Sequence, residues 1–275
     1  MIITTLENFL LSVPTASGTE YNAIKPFVES ADSEIQALLC GKDLYDYIAL
    51  HSELSLFGAL RDLIAFTAYK NAIPFVDLIQ TNNGFAVVSN NNQAPASKER
   101  VERLIAQCSN IIDITTDKFI TQVVGFADAL TEWTKAGCFP GLTNCLFLTG
   151  YDYGQYGKST KRSNFLAEKG LLITAQNTVL APLISKDYLN ALIVKVRAKS
   201  MGEKDLPALD FCKQILSRYV ANDHDNVKLL NDQLANLLES DLVGYKTYAD
   251  SKEYALKTGA NYQNKKSDST FFFGT

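Results

Sequence analysis

The chain has 275 residues, enough for one large domain or two ordinary ones. Its residues are 47% hydrophobic and 20% charged, proportions typical of a globular protein with a substantial core. A net charge of −4 supplies no global basic field for nucleic acid. The chain has no uninterrupted apolar run of about 18 residues, so no transmembrane helix is predicted. The first residues lack basic side chains and include Glu7, which argues against a secretory signal.

Residues with catalytic potential are few. The cysteines are odd in number and scattered, which predicts reduced, buried thiols in a cytosolic protein and no metal site. They are Cys40, Cys108, Cys138, Cys145 and Cys212. His51 and His224 both lie in polar surroundings, and the "NDHDN" around His224 favours an exposed helix N-terminus over a metal site or a proton relay. No familiar catalytic motif is present, so we predict no catalytic, cofactor-binding or metal-binding residues.

Helical periodicity dominates the first quarter of the chain. Apolar residues recur every three or four positions from Tyr21 to Leu39, and Gly41 stands where a glycine would end that helix. A second helix is predicted to start near Lys42. Its inward residues are Leu44, Tyr47 and Ile48. The next helix spans Leu56–Ile79, is buried on most sides, and is expected to be kinked or split at Pro74.

The period then changes to that of strands. Asn83-Gly84 lies between two short apolar runs and is a type I′ hairpin signal, with strands at about Leu78–Thr81 and Phe85–Ser89. A two-stranded hairpin alone is only marginally stable. We therefore expect it to pack on another part of the chain or on a neighbouring copy.

A long helix is predicted from Ser97, a suitable N-cap, to about Trp133, which is expected in the core. Thr115-Thr116 is a candidate break within this helix. A further break is predicted after it, around Pro140-Gly141. Further helical patterns span about Phe165–Leu180, Lys186–Lys199, Leu206–Val220 and Val227–Tyr248. The chain closes with a polar segment and three consecutive phenylalanines, Phe271–Phe273, which are costly to expose. This tail either folds back on the core or, as we prefer, docks into a partner.

The stretch "LFLTGYDYGQYGKST", residues 146–160, ends like a phosphate-binding P-loop. A P-loop needs a glycine five positions before Gly157, and that position holds Asp152. We therefore interpret the stretch as a Gly/Tyr-rich connector. Nucleotide binding through Lys158 is kept as a minor alternative.

Two segments match at an offset of 144 residues. "ADSEIQALLCGKDLYDYI" from Ala31 and "AQNTVLAPLISKDYLNAL" from Ala175 share five of 18 residues, including the Lys-Asp pair that opens the second helix. Two amphipathic helix pairs can also look alike by chance. The preferred fold is mainly α, a helical bundle with one protruding β-hairpin and two related helical units in tandem. The predicted domains are 1–140 with the hairpin at about 78–90, then 141–262, and a C-terminal arm at 263–275.

Residues from "YNAIKPFVESADSEIQALLCGKDLYDYI" through "LRDLIAFTAYKNAIPFVDLI" to "TNNGFAVVSNNNQAPASKERVERL" resemble a protein family encoded by phages and prophages of Bacteroides-type bacteria. Its members are similar in fold to head-tail connector proteins, the helical subunits that ring the portal of tailed phages. The resemblance is clearest from about Tyr21 to Trp133 and extends to Cys145–Lys195. It carries over no catalytic residues.

The resemblance implies a non-enzymatic virion protein, a connector or neck subunit located at the head-tail interface after synthesis in the bacterial cytoplasm. Its expected partners are further copies of itself in a ring, the portal and adjacent neck or tail proteins, with passive contact to packaged DNA and no membrane. The interaction candidates are Thr81, Asn82, Phe85, Val87, Val88, Phe271, Phe272 and Phe273. The alternatives are a helical adaptor or scaffold without a virion role and, less favoured, a nucleotide-binding enzyme.

Overall fold

The computed structural model describes residues 1–13, 20–76, 78–81, 84–87, 97–157 and 159–259, with Val76 and the two short strands described by their backbone. The protein is mainly α-helical. Its internal contacts divide the chain into two compact units. Unit 1 is Met1–Leu142 with Lys161–Ser163, and unit 2 is Thr143–Thr160 with the chain from Asn164 onward.

Unit 1 is built around a long helical hairpin. Its helices are α1 (Leu6–Leu10), α2 (Tyr21–Ile35), α3 (Gly41–Leu50), α4 (Ser55–Val76), α5 (Lys98–Val123), α6 (Ala127–Thr134) and α7 (Phe139–Thr143). Helix α4 packs along α5 and α2, and α3 packs on α6. Between α4 and α5, strand β1 (Leu78–Thr81) pairs antiparallel with β2 (Gly84–Val87), with Thr81 opposite Gly84. That this hairpin protrudes and meets a neighbour stays a prediction.

The helical periodicity of α2 and α3 predicts their buried faces, with one correction. In α2 the buried residues recur every three or four positions as Ile24, Val28, Ala31 and Ile35. In α3, Leu44 and Ile48 are buried as predicted, but Tyr45 is the inward tyrosine. Tyr47 is half-buried, and its ring lies 4.3 Å from that of His51. The Tyr45 hydroxyl donates to Asp32 at 2.6 Å, which satisfies its polar end inside the unit.

Neither α4 nor α5 is split at the predicted position, and a kink of α4 at Pro74 stays a prediction. Helix α4 is not split at Pro74, because this proline lies in the last turn and removes one of the last helical hydrogen bonds. Helix α5 continues through Thr115-Thr116. The Thr116 hydroxyl donates to the Ile112 carbonyl at 2.7 Å and is therefore satisfied within the helix. The N-cap prediction is confirmed, since the Ser97 hydroxyl accepts from the Arg100 N–H.

Unit 2 is also helical. Its helices are α8 (Gly150–Gly154), α9 (Arg162–Ala175), α10 (Ala181–Ile184), α11 (Lys186–Arg197), α12 (Asp205–Val220), α13 (His224–Ser240), α14 (Lys246–Ala249) and α15 (Lys252–Lys257). Helix α12 packs against α13, and α11 packs on α14. The described residues of each unit include a π-helical turn, Gln36–Cys40 in unit 1 and Gln176–Leu180 in unit 2.

The interpretation of residues 146–160 as a connector is wrong. Leu146, Phe147 and Tyr153 are fully buried and belong to the core of unit 2. The segment Gly150–Gly154 is a helix, capped by the Thr149 hydroxyl, which accepts from the Asp152 N–H. Lys158 lies outside the described residues. Aromatic side chains thus anchor this stretch, although its glycines are typical of a loop.

The N-terminal segments of the two units match in structure at the 144-residue offset. Thr5 caps α1 with φ −136° and ψ 159°, and Thr149 caps α8 with φ −133° and ψ 157°. Further pairs at this offset, buried in both units, are Phe9 and Tyr153, Val28 and Leu172, Ala31 and Ala175, Leu44 and Tyr188, and Ile48 and Leu192.

Two further features recur at the same offset. The Ile2 N–H donates to the side chain of Asp32, and the Leu146 N–H donates to that of Gln176. The break before the Lys-Asp pair has a left-handed backbone in both units. It is Gly41 with φ 69° and ψ 166° in unit 1, and Ser185 with φ 74° and ψ 149° in unit 2.

Candidate interaction surfaces

The helical pair α4–α5 has few buried side chains at the end that carries the β-strands. Phe75 is 66% exposed, and the first buried residue of α5 is Cys108, three turns into the helix. We call residues 66–75 and 98–107 the tip. Its half-buried or exposed apolar residues are Phe66, Ile73, Phe75, Val101, Leu104 and Ile105. Two helices that cover each other only partly leave apolar surface available to a partner.

The predicted interaction residues are only partly described. Thr81 lies in β1, and Phe85 and Val87 lie in β2, with Gln80 opposite Phe85 and Leu78 opposite Val87. Gly84, assigned to the turn from the sequence, is the first residue of β2. Asn82, Val88, Phe271, Phe272 and Phe273 lie outside the described residues. Their role in binding stays a prediction.

A second surface feature is a cleft in unit 2 of about 430 Å³. It is lined by Asn144, Ile173, Gln176, Asn177, Lys186, Leu189, Asn190, Ile193, Val194 and Arg197. Among these described lining residues, Lys186 and Arg197 are cationic and none is a carboxylate. The cleft is not among the features predicted from the sequence, although the positive charges of Lys186 and Arg197 on α11 indicate one side of it.

Hydrogen bonds hold the polar wall of the unit 2 cleft in place. The Gln176 side chain accepts from the Leu146 N–H at 2.8 Å and donates to the Asn144 carbonyl at 3.0 Å. Arg197 Nε donates to the Thr143 carbonyl at 2.6 Å, and partial burial lowers the pKa of this guanidinium. The Asn144 Oδ1 atom is buried without a hydrogen-bond partner. The cleft therefore offers fixed amides and positive charge beside an aliphatic floor.

Two of the buried cations, Arg162 and Lys213, are paired inside their own units. The first two residues of α9 belong to unit 1, and there Arg162 Nη1 lies 2.8 Å from Asp117 Oδ1, with both side chains nearly inaccessible. In unit 2, Lys213 pairs with Asp152 at 2.7 Å and lies 5.2 Å from the centre of the Phe147 ring. Buried charges persist in proteins when paired in this way, and these pairs account for the two cations structurally.

The cysteines are unreactive by position. The structure confirms that Cys40, Cys108, Cys145 and Cys212 are buried, whereas Cys138 is half-buried, and all five are free thiols. Burial raises the pKa of Cys145 to about 11 and also raises the pKa of Cys40 and Cys212. Thiolates, the reactive form, are therefore scarce at neutral pH.

The histidine environments are those of helix ends. His224 is the first residue of α13 and is exposed, after the N-cap Asp223, so the predicted helix N-terminus is confirmed. His51 is half-buried rather than exposed, with Nδ1 2.8 Å from the Tyr47 carbonyl. Within the described part of the chain, no group of three His, Cys, Asp or Glu side chains is arranged to hold a metal ion.

No helix among the described residues is long and apolar enough to cross a membrane.

Comparison with known proteins finds one match, which lies within unit 1. No curated protein and no solved structure matches the chain. A model of the Family of unknown function (DUF6712) matches residues 18–138, which include α2 to α6 and the intervening β-strands. The chain is therefore similar to that family over most of unit 1, and unit 2 lies outside the match.

Proposed function

We propose that the protein is a non-enzymatic structural subunit of a tailed-phage particle, a head-tail connector or neck protein that assembles with further copies of itself. The observation that carries the proposal is the α4–α5 hairpin with paired β-strands at its thinly covered tip. A two-stranded ribbon has one unpaired edge on each strand. Such edges bind partners by strand addition, and apolar helix faces beside them add buried area.

We also infer that the chain contains two related helical units in tandem. The inference is supported by the paired N-caps, the equivalent bonds to Asp32 and Gln176, and the left-handed breaks at Gly41 and Ser185, all 144 residues apart. Chance similarity of amphipathic helices does not require such matching backbone detail. Two units in one chain suit a subunit of a closed assembly.

The proposed partners are assigned to two segments, the β-ribbon and the C-terminal segment. The ribbon would contact the portal or an adjacent copy, and the Phe271–Phe273 segment would occupy an apolar groove of a neighbour. DNA contact would be passive, because a net charge of −4 provides no overall electrostatic attraction to the phosphate backbone. The proposed location is the head-tail interface of the virion.

The test is the mass of the full-length protein by light scattering over a concentration series, alone and with the portal protein of the same phage. We expect a discrete oligomer, or a complex formed only when portal is added. Phe85→Asp with Val87→Asp should weaken assembly roughly tenfold or more, about 1.4 kcal/mol. The matched control is Leu229→Asp on α13, where Leu229 is 55% exposed.

Three outcomes decide against the proposal. A strict monomer that does not bind portal would overturn it. Assembly without portal binding, together with absence from purified particles by mass spectrometry, would instead favour a helical adaptor without a virion role. ATP or GTP binding that is lost in Lys158→Ala would favour the enzyme alternative.

A further inference from the structure

The two units present equivalent surfaces of opposite charge. The unit 1 face is the set of residues 144 positions before the lining of the unit 2 cleft. It consists of Glu29, Asp32, Ser33, Lys42, Tyr45, Asp46, Ala49, Leu50 and Glu53. This face carries four carboxylates and one lysine, whereas the cleft lining carries two cations and no carboxylate among its described residues.

Both surfaces have an exposed aliphatic residue at the same position. Leu50 is 82% exposed at the end of α3, and its equivalent Val194 is 57% exposed on α11. Around Val194, Asn190 and Arg197 lie one turn away on the same helix face. An apolar centre with a polar rim is the usual composition of a protein–protein interface.

Two carboxylates of the unit 1 face, Asp46 and Glu53, are available at the surface. Asp46 lies one turn before Leu50, and Glu53 follows in the turn after α3; both are exposed. Asp46 forms only an exposed pair with Lys42, whose side chain is 76% accessible. Exposed pairs of this kind are weak and exchange readily for others, so Asp46 can be recruited by a cation on a partner.

The two surfaces also differ in how their centres are filled. In unit 1 the Tyr45 side chain reaches Asp32, whereas the equivalent Leu189 is smaller and Gln176 turns toward the backbone of Leu146. The smaller residue accompanies an open cleft of about 430 Å³ in unit 2. The cleft therefore has room for a side chain such as Leu50.

We propose that the unit 1 face of one copy docks into the unit 2 cleft of a second copy, with Leu50 entering the cleft and Asp46 and Glu53 facing Lys186 and Arg197. The contact is heterologous, so successive copies associate head to tail, which closes a ring where the rotation permits. The inference rests on the proposed function only in that both require self-assembly. Charge complementarity favours a second copy over an unrelated occupant of either surface.

The experiment uses full-length protein and sedimentation velocity at concentrations up to about 100 µM, a range that detects micromolar association. Variant A is Asp46→Lys with Glu53→Lys. Variant B is Lys186→Glu with Asn190→Glu, and it leaves Arg197 bound to the Thr143 carbonyl. The control is Glu34→Lys, a charge reversal at an exposed residue of α2. Glu34 is five positions after Glu29, which places it about 140° around the helix from that residue of the unit 1 face.

Wild type and the control should associate, and raising the salt from about 50 mM to about 500 mM should weaken that association roughly tenfold. Variants A and B should each associate at least about tenfold more weakly than wild type. Combining all four substitutions in one chain should restore association, because both surfaces have then changed sign. Mixing A with B should also restore it, because A keeps a wild-type cleft and B keeps a wild-type unit 1 face. Circular dichroism confirms that each variant is folded.

The inference is overturned if wild type is monomeric throughout, if A and B associate like wild type, or if the combined variant fails to recover. These results are distinct from failure of the proposed function. If variants A and B weaken association but the protein is absent from particles and does not bind portal, the contact is upheld and the virion role is rejected. If the protein assembles with portal and variants A and B have no effect, the virion role is upheld and the contact is rejected.

Discussion

The indole N–H of Trp133 donates a hydrogen bond of 2.7 Å to the carbonyl oxygen of Leu39 in the core of unit 1. The bond joins α6 to the π-helical turn Gln36–Cys40. Trp133 is fully buried, as predicted, and it is the single tryptophan of the chain. Its fluorescence therefore reports on the folding of unit 1.

Trp133→Phe should destabilise unit 1. The substitution leaves the buried Leu39 carbonyl without the indole donor, at a cost of about 1–3 kcal/mol, and it reduces packing against Phe139. Urea unfolding followed by circular dichroism measures the change. Thr134→Ala, at the exposed neighbouring position, is the control and should stay within about 0.5 kcal/mol of wild type. Equal stabilities of Trp133→Phe and the control would contradict the role of the bond.

Gly41→Ala should lower stability through both backbone and contact. Gly41 has φ 69°, and a Cβ at this position would lie 2.4 Å from Ala136 Cβ. With φ 69° and ψ 166°, the backbone alone costs an L-residue about 1–3 kcal/mol, and the overlap adds to it. Trp133 fluorescence in urea measures the loss. Gly58→Ala in α4, where the new Cβ meets nothing within 4 Å, should instead stabilise by about 0.5–1 kcal/mol.

Asp117→Ala should be more damaging than loss of a surface charge. It leaves the Arg162 guanidinium, 7% accessible, without the carboxylate 2.8 Å away. Breaking a buried pair from one side typically costs about 3–5 kcal/mol. Glu102→Ala, which removes an exposed pair with Lys98, should cost no more than about 1 kcal/mol. Unfolding monitored by Trp133 fluorescence compares them, and equal effects would show that the buried pair is not structural.

Stability should fall at alkaline pH, partly through Tyr153. Burial, reinforced by donation to Glu168, raises the pKa of Tyr153 above its ordinary value of 10.0. The folded state therefore holds this proton more tightly than the unfolded state. The resulting stabilisation is complete below pH 10 and is lost as pH rises above it. Urea unfolding between pH 8 and pH 11 should show a shallower decline for Tyr153→Phe, and parallel curves would refute the linkage.

Periodicity predicts the helices of both units because burial repeats with the helical turn. Ile24, Val28, Ala31 and Ile35 follow the pattern that a buried stripe requires. The same rule cannot choose between Tyr45 and Tyr47, since both flank the stripe of α3. The choice depends on Asp32, a hydrogen-bond partner on a different helix. Such tertiary partners are not visible in hydropathy.

The segment at residues 146–160 shows a second limit of sequence reasoning. Its glycines and tyrosines indicate a loop, yet Phe147 and Tyr153 are core residues of unit 2. The overlooked signal was Thr149 three residues before Asp152, the spacing of an N-cap. The candidate surfaces were hidden for a related reason. The charges of Lys186 and Arg197 can be read along α11, but the cleft they line also needs Asn144, Ile173, Gln176 and Asn177, which lie in other segments of the chain.

The connection between the paired helices has a consequence for symmetry. In unit 1 the β-strands lie between α4 and α5, whereas α12 ends at Val220 and α13 begins at His224. Each chain therefore contributes two helical units but a single ribbon of this kind between paired helices. In the ring that we propose, a partner on the helical units would meet two related units per chain, and a partner on the ribbons would meet one. Such a ring would join two neighbours whose rotational symmetries differ by a factor of two.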